Sequence, residues 1–451
     1  MLEFNCKENL NKWGFDMFKK AYSLMLALVL VVMAVLTGCG SSDNASTESG
    51  SKKVVKFMHL WPAGSSKQQN LIVSDIIKQY EADHKDVKIE VEVLENEQYK
   101  NKIKVLSSSN ELPDVGFTWA AGYMTPFVQG GLFADLDDVL NDGLKDSFVS
   151  GTTEAYALDG KTYGLPLELN IAPIYYNKAI FEKYNLEVPQ TYSEFQNVVK
   201  TLEKNGVAPI ALGNKDRWTG SLWYMYLADR IGGSDVLNKA INRTGSFEDP
   251  ALVSAAQEVQ NLVKEDAFNK GFNGLSNDEG KSEFLNGNAA MYLMGTWELP
   301  NFTTNEEIPK DFRDNVGFFK FPTYEGGKGN VNSWVGGPGV GLFVAEHSKV
   351  KDEAKDFVKF FVEKWGEQSV EKAGVIPATK VDTSKVDLPP LYIDVLNELN
   401  NASNLTLFAD VQMSASVAET HLNLIQSLFG NEVKPKDFAK QHEAALKAEE
   451  K

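Results

Sequence analysis

The hydrophobic and polar positions that follow residue 52 change repeatedly between a two-residue and a 3.6-residue period. Residues 53–61 form a β-rich run ending at Pro-Ala-Gly, and residues 87–93 alternate strictly, so both segments are predicted as strands. Residues 66–84 place apolar side chains at helical spacing. A second helix is predicted over 97–109 and a third strand over 113–119. This order of strands and helices predicts an α/β domain with a mainly parallel sheet.

The same two patterns continue to the end of the chain, with no internal repeat of fixed period. Thr191 and Glu194 have the spacing of a capping box, which predicts that a helix begins there. A Gly-rich segment at 334–342 precedes a predicted helix at 351–370, and the pattern is helical from about residue 388 onward. Further predicted elements are an amphipathic helix at 250–265, a helix end, turn and strand over 284–297, and a strand at 315–322.

The first 38 residues have the order of a secretory signal peptide. A basic Lys19-Lys20 pair precedes an uncharged stretch over 21–36, which is short for a membrane span. Met17 is a better start than Met1, so residues 1–16 are attributed to an upstream start site. Leu-Thr-Gly-Cys, ending at Cys39, resembles a bacterial lipobox. That resemblance implies cleavage before Cys39, a diacylglyceryl anchor on its thiol, and a flexible tether through residue 52.

Charge and cysteine content exclude several classes of protein. Lys and Arg number 45 against 62 Asp and Glu, which gives a net charge of −17. A chain this acidic, without a basic cluster, is not expected to bind nucleic acid. Cys6 and Cys39 are its only cysteines. The sequence therefore predicts no disulfide core, no cysteine-based zinc site and no cysteine nucleophile in the body of the protein.

The motifs of common enzymes are absent from the sequence. The five histidines are scattered, and there is no H-E-x-x-H, no G-x-S-x-G and no Walker loop. A surface glycosidase remains open, because its two carboxylates follow no fixed spacing in sequence. The interpretation favoured here is a protein that is not an enzyme and that needs no cofactor and no metal.

Tryptophan supplies the strongest chemical signal. Sugars present apolar C–H faces and polar hydroxyl edges, so their sites combine flat aromatic rings with acids and amides. Trp223 and Trp365 lie within predicted helices: Trp223 is expected in the core, and Trp365 is expected to pack in the core or on the surface. Four tryptophans fall at predicted strand-to-loop junctions, where a cleft would form: Trp61, Trp119, Trp297 and Trp334.

Four segments, in order, resemble family 1 of the extracellular solute-binding proteins that serve ABC sugar importers. These are Asp159–Asn170, Tyr175–Lys178, Phe284–Trp297 and Val316–Pro322. The resemblance implies an α/β, two-lobed periplasmic-binding-protein-like fold of type II, with a ligand cleft between lobes joined by hinge strands. It implies crossings at Leu165–Glu168, near Gly317–Lys320 and near Lys372–Ile376. Lobe one would comprise 53–166 plus 319–373, and lobe two 167–318 plus 374–451.

The resemblance also implies the ligand site and the partners. The protein would capture a sugar or oligosaccharide by hinge closure and deliver it to ABC permease subunits, as a monomer held on the membrane by the lipid on Cys39. A non-sugar solute such as a polyamine or organophosphate, and a role in signalling to a membrane sensor, are the alternatives within this fold. The implied ligand-binding residues are His59, Trp61, Trp119, Glu168, Asn170, Arg217, Trp218, Trp297, Trp334, Gly336 and Asp410.

Overall fold

The structure, a computed structural model, describes residues 52–380 and 382–449. The predicted signal peptide, the lipobox with Cys39 and nearly all of the tether lie outside the described residues. Residues from Lys52 onward form one compact unit. Within the described ranges, no helix has both the length and the apolar character needed to cross a membrane.

Fourteen strands are found among the described residues, and they form two larger and two smaller sheets. In chain order they are β1 Lys53–His59, β2 Val87–Val93, β3 Val115–Thr118, β4 Ala157–Leu158, β5 Lys161–Thr162, β6 Leu165–Pro166, β7 Leu169–Ile171, β8 Ile174–Asn177, β9 Ala208–Ala211, β10 Ala289–Leu293, β11 Val316–Phe319, β12 Ser333–Pro338, β13 Gly341–Val344 and β14 Asn404–Thr406.

The five-stranded sheet contains the strands predicted at the start of the body. Its order is β2-β1-β3-β13-β6. β1 pairs in parallel with β2 and β3, whereas β13 runs antiparallel to both β3 and β6. The expected mainly parallel sheet is therefore mixed, because β13 enters it from a distant part of the chain and runs opposite to the other four strands.

The second large sheet has four strands in the order β11-β8-β10-β9. Only β10 and β9 pair in parallel, while β8 is antiparallel to both of its neighbours. A three-stranded sheet, β14-β12-β7, and a β4-β5 hairpin complete the set. Strand β14 interrupts the stretch after residue 388 that was expected to be helical throughout. It forms because it pairs in parallel with β12.

The chain passes between the two large sheets through β6, β7 and β8, and it returns through β12 and β13. The first passage begins at the predicted position, Leu165–Glu168. The second differs from the crossing predicted near Gly317–Lys320, because β11 pairs with β8 inside the four-stranded sheet, with Phe319 opposite Ile174. Strands β12 and β13 therefore form the return passage, and the lobe boundary at residue 319 stays a prediction.

A third segment, 374–378, runs beside the first passage. The Leu169 amide donates to the Ile376 carbonyl at 3.0 Å, and the Ala378 amide donates to the Leu167 carbonyl at 3.0 Å. The segment includes Ile376, and the crossing expected near Lys372–Ile376 stays a prediction. The two segments are therefore joined by main-chain hydrogen bonds on both sides of Glu168.

The helices cover the sheets, and their ends follow local signals. Thr191 caps its helix through the expected reciprocal box with Glu194, which confirms the predicted start. In the described part of the chain, the α-helices of four or more residues are α1 Lys67–Asp83, α2 Asn96–Ser109, α3 Ala121–Gln129, α4 Lys178–Lys183, α5 Tyr192–Lys204, α6 Trp218–Gly232, α7 Val236–Ile241, α8 Pro250–Lys264, α9 Asn277–Leu285, α10 Leu299–Phe302, α11 Lys310–Asp314, α12 Lys351–Gln368, α13 Pro390–Asn400, α14 Ala409–Gln412, α15 Ala415–Phe429 and α16 Pro435–Glu449.

The two tryptophans predicted to pack within helices are both buried in the core. Trp223 in α6 packs against Phe195, Phe268 and Phe321. Trp365 in α12 donates from its indole nitrogen to the Leu167 carbonyl at 3.0 Å. Because Leu167 belongs to the first passage between the sheets, this bond ties helix α12 to that passage.

Candidate functional site

A cavity lies where strands of both large sheets end. Trp61 and Trp119 follow β1 and β3 of the five-stranded sheet, whereas Trp297 follows β10 and Trp218 begins the helix after β9. All four line a cavity of about 160 Å³. Loops beyond the carboxyl ends of strands are the usual position of ligands in α/β proteins. Each sheet therefore contributes two tryptophans to one cavity.

The four indoles are held by packing with other rings. Trp218 and Trp297 contact edge to face with centroids 6.0 Å apart, and Phe408 lies 5.7 Å from Trp297. Trp61 stacks on the buried Trp365 at 4.5 Å and 7°. Among the described residues, the buried indole nitrogen of Trp218 has no hydrogen-bond partner. The wall thus offers rigid apolar faces, and the Trp218 indole N–H is a buried donor without a protein partner.

Glu168 is the most unusual polar group of the wall. Its side chain is buried between β6 and β7, and its Oε1 atom has no hydrogen-bond partner in the described part of the chain. Burial raises the pKa of Glu168 to about 7, and the neighbouring Asn170 amide offsets this only in part. A carboxyl group that is close to half-protonated at neutral pH can either accept from or donate to a ligand hydroxyl.

Lys281 supplies a buried cation on the side of the four-stranded sheet. Its ammonium group lies 2.9 Å from Asp278 Oδ1 and 3.4 Å from Glu298 Oε1. Burial by itself would lower the pKa of Lys281, but Glu298 and Asp278 outweigh it and raise the pKa. Lys281 is therefore charged, and it also donates to the Ser65 carbonyl at 3.4 Å.

Lys100 supplies a second cation on the side of the five-stranded sheet. It pairs with Glu97 at 3.1 Å, and its ammonium lies 4.9 Å from the centre of the Trp119 ring. Burial raises the pKa of Asp410 above its ordinary value, and Lys100 partly counteracts that effect. The ion pair and the aromatic contact fix the orientation of Trp119 at the cavity wall.

Contacts across the cavity mouth join the start of α1 to the segment around β10. The Gln69 amide donates to the Trp297 carbonyl at 3.3 Å, and Lys67 forms an ion pair with Glu307. Together with the Lys281–Ser65 bond, these contacts connect residues that follow strands of different sheets. The structure therefore represents a conformation closed over the cavity.

Comparison with known proteins identifies the family. The profile described as "Bacterial extracellular solute-binding protein" matches residues 63–364, which is more than half of the chain. The chain belongs to this family. The Multiple sugar-binding protein of Streptococcus mutans is 25% identical over 347 residues, covering 74% of this chain and 77% of that protein.

Solved structures agree with this assignment. A chain described in a study of xylan utilization by the thermophilic bacterium Caldanaerobius polysaccharolyticus is 36% identical, with a TM-score of 0.82, covering 87% of this chain and 99% of that one. A chitin oligosaccharide binding protein has a TM-score of 0.82 at 24% identity, covering 89% of this chain and 100% of that one. The expected α/β, two-lobed periplasmic-binding-protein-like fold is thus confirmed, and two of these three matches are named binding proteins.

The cavity of this solute-binding protein is lined by six of the eleven residues singled out from the sequence: Trp61, Trp119, Glu168, Trp218, Trp297 and Asp410. Two of the other five lie outside the cavity lining because they have protein partners. His59 is 1% exposed, and its Nδ1 accepts from the Trp61 amide at 3.3 Å. Arg217 pairs with Glu419 at 2.6 Å, so its guanidinium points toward α15.

The remaining three lie in the β7–β12 pair, behind the wall. Asn170 accepts from the Thr296 hydroxyl at 2.8 Å, and a Cβ atom at Gly336 would clash with the Asn170 carbonyl. Trp334 is 1% exposed within β12, so it does not lie at a strand-to-loop junction as expected. These placements support structural roles for Asn170, Gly336 and Trp334.

Other wall residues escaped the sequence analysis. Ser221 and Met225 follow Trp218 on one face of α6, a spacing of three to four residues that could have indicated them. Lys100 and Lys281 carried no comparable signal, because their proximity to the cavity depends on how the two sheets are placed.

Proposed function

We propose that this solute-binding protein captures an oligosaccharide in the closed cavity and delivers it to an ABC permease. The observation that supports this most strongly is the set of four tryptophans, two from each side, around polar groups that include Glu168 and Asp410. Indole faces suit the C–H surfaces of sugar rings, and the acids suit their hydroxyls. Because the wall is shared between the two sides, a bound ligand stabilises the closed form.

The ligand class we propose is a xylo-oligosaccharide. The similar chain from the xylan-utilization study is 36% identical over nearly the whole described body. The cavity is also largely closed by the Lys281–Ser65 and Gln69–Trp297 contacts, which favours a short oligomer.

We further propose that the mature protein begins at Cys39 and acts as a lipid-anchored monomer on the outer face of the cytoplasmic membrane. The basis for the anchor is the signal-peptide order followed by Leu-Thr-Gly-Cys. Two acyl chains suffice for stable attachment, and the Ser/Gly-rich segment over 40–52 gives the body freedom to reach a permease.

Isothermal titration calorimetry on the chain from residue 40 tests the ligand proposal. The panel contains xylobiose, xylotriose, chitobiose, maltotriose, spermidine and glycerol 3-phosphate. Saturable binding of the xylo-oligosaccharides, without product formation by mass spectrometry, is the expected result. Binding of spermidine or glycerol 3-phosphate alone would overturn the sugar assignment while leaving the family assignment intact. Product formation would establish the glycosidase alternative.

A further inference from the structure

A hydrogen-bonded row of side chains runs from the cavity wall into the core of the side formed by the four-stranded sheet. Ser221 in α6 lines the cavity, and its hydroxyl lies 2.7 Å from Nε2 of His421 in α15. Nδ1 of His421 lies 2.9 Å from Nε2 of His442 in α16, whose own Nδ1 lies 2.8 Å from the Phe438 carbonyl. We call Ser221, His421 and His442 the Ser–His–His relay.

Both imidazoles of the relay are neutral at physiological pH. Neither ring is exposed to solvent, and Phe247 stacks on His442 at 4.4 Å. Burial lowers the pKa of His421 well below its ordinary value, with a further contribution from His442. Burial also lowers the pKa of His442 to about 4, although the Phe438 carbonyl and Glu443 oppose this. The carboxylate of Glu443 is itself paired with Arg243 at 3.1 Å.

The Phe438 carbonyl determines which atom donates the proton in each hydrogen bond of the relay. A carbonyl oxygen only accepts, so Nδ1 of His442 carries its proton and Nε2 of His442 is an acceptor. His421 must then donate from Nδ1, which leaves its Nε2 as an acceptor. Ser221 therefore donates its single proton to His421, and only the lone pairs of its oxygen remain available.

We infer that Ser221 acts in the cavity as an obligate hydrogen-bond acceptor, so that the ligand must present a free hydroxyl donor at this position. The inference rests on the proposed sugar-binding function and adds a rule of specificity to it. A ligand whose hydroxyl at this position is replaced by an ether or an ester lacks the proton that Ser221 needs. In this interpretation Ser221 contacts the ligand, and His421 and His442 are positioning residues.

Nitrogen-15 NMR of histidine-labelled protein tests the direction of the relay without any ligand. Both His421 and His442 are expected to carry the proton on Nδ1, which is the less common tautomer in water. Protonation of His421 on Nε2 would reverse the relay and overturn the inference. This measurement remains decisive even if no sugar of the panel binds, in which case only the proposed function fails.

Fluorinated ligands test the acceptor role directly. The probes are xylotriose analogues in which one hydroxyl at a time is replaced by hydrogen or by fluorine, which cannot donate a proton. At one position the two replacements should weaken binding equally, by about tenfold. This position-specific loss should disappear in Ser221→Ala, whose fold is verified by circular dichroism. The inference fails if fluorine preserves binding at every position, or if the loss persists in Ser221→Ala.

A matched pair of variants at His442 separates positioning from packing. His442→Gln keeps a side-chain oxygen that can accept from His421, so the tautomer of His421 and the ligand preference should both be retained. His442→Leu removes that acceptor, so His421 is expected to move its proton to Nε2. Ser221 is then free to donate, and binding of the fluorinated analogue should recover. Equal behaviour of the two variants would contradict the relay.

Discussion

Ionisation of Glu168 should make the ligand-free protein less stable as the pH rises. The folded-state pKa of about 7 lies above the ordinary value of 4.5 because the carboxyl group is buried. The stabilising contribution of the protonated form is therefore fully present below pH 4.5 and is lost as the pH rises through 7. From the difference between the two pKa values, ionisation of Glu168 lowers the free energy of unfolding by about 3 kcal/mol at pH 8.

Glu168→Gln removes the ionisation while keeping the shape of the side chain. We compare the free energy of unfolding of the variant with that of the unchanged protein at each pH. The advantage of the variant should be about 3 kcal/mol larger at pH 8 than at pH 4.5. Urea unfolding at several pH values, followed by circular dichroism, measures this difference, and Glu90→Gln on the exposed face of β2 is the control. A difference between the proteins that does not change with pH would refute the reasoning, as would a change of opposite sign.

Three further substitutions test other parts of the site by calorimetry with xylotriose and by thermal unfolding. Trp297→Ala should weaken binding at least tenfold because it removes an aromatic face, whereas Phe360→Ala in α12 should leave affinity unchanged. Gly339→Ala should lower the free energy of unfolding by about 1–3 kcal/mol, because the new Cβ would lie 2.5 Å from the Asn170 amide nitrogen. Unchanged stability and affinity would contradict this prediction. Glu307→Gln should weaken binding less than fivefold, because the ion pair that it forms with Lys67 is exposed. The effect should vanish in 1 M salt, which screens exposed charges, and an effect that persists there would contradict the prediction.

Local signals predicted the elements whose structure is determined locally. The strict alternation over 87–93 gives β2 with the predicted bounds, and the capping box at Thr191 gives the start of α5. Strand β12 carries Gly336-Gly337-Pro338 and has no strand pattern. Its extended conformation comes from pairing with β7 and β14, which are distant in sequence.

Site residues with a local sequence signal were predicted, whereas those that reach the site through contacts with distant parts of the chain were missed. Aromatic residues directly after strands, such as Trp61 and Trp119, reach the wall because strand ends of a sheet point to one edge. His59 also lies at a strand end, but its ring packs in the core, 5.3 Å from Phe57, and is not part of the cavity lining. Ser221 became prominent only through His421, which lies two hundred residues further along the chain.

The stacked Trp61–Trp365 pair gives this protein an internal optical reporter. One indole lines the cavity, while the other donates to the Leu167 carbonyl in the segment that connects the two large sheets. Ligand contact changes the surroundings of the first ring, and movement of the connecting segment changes the stacking that the second ring provides. Near-ultraviolet fluorescence and circular dichroism of the unlabelled protein therefore report occupancy and closure through two neighbouring side chains.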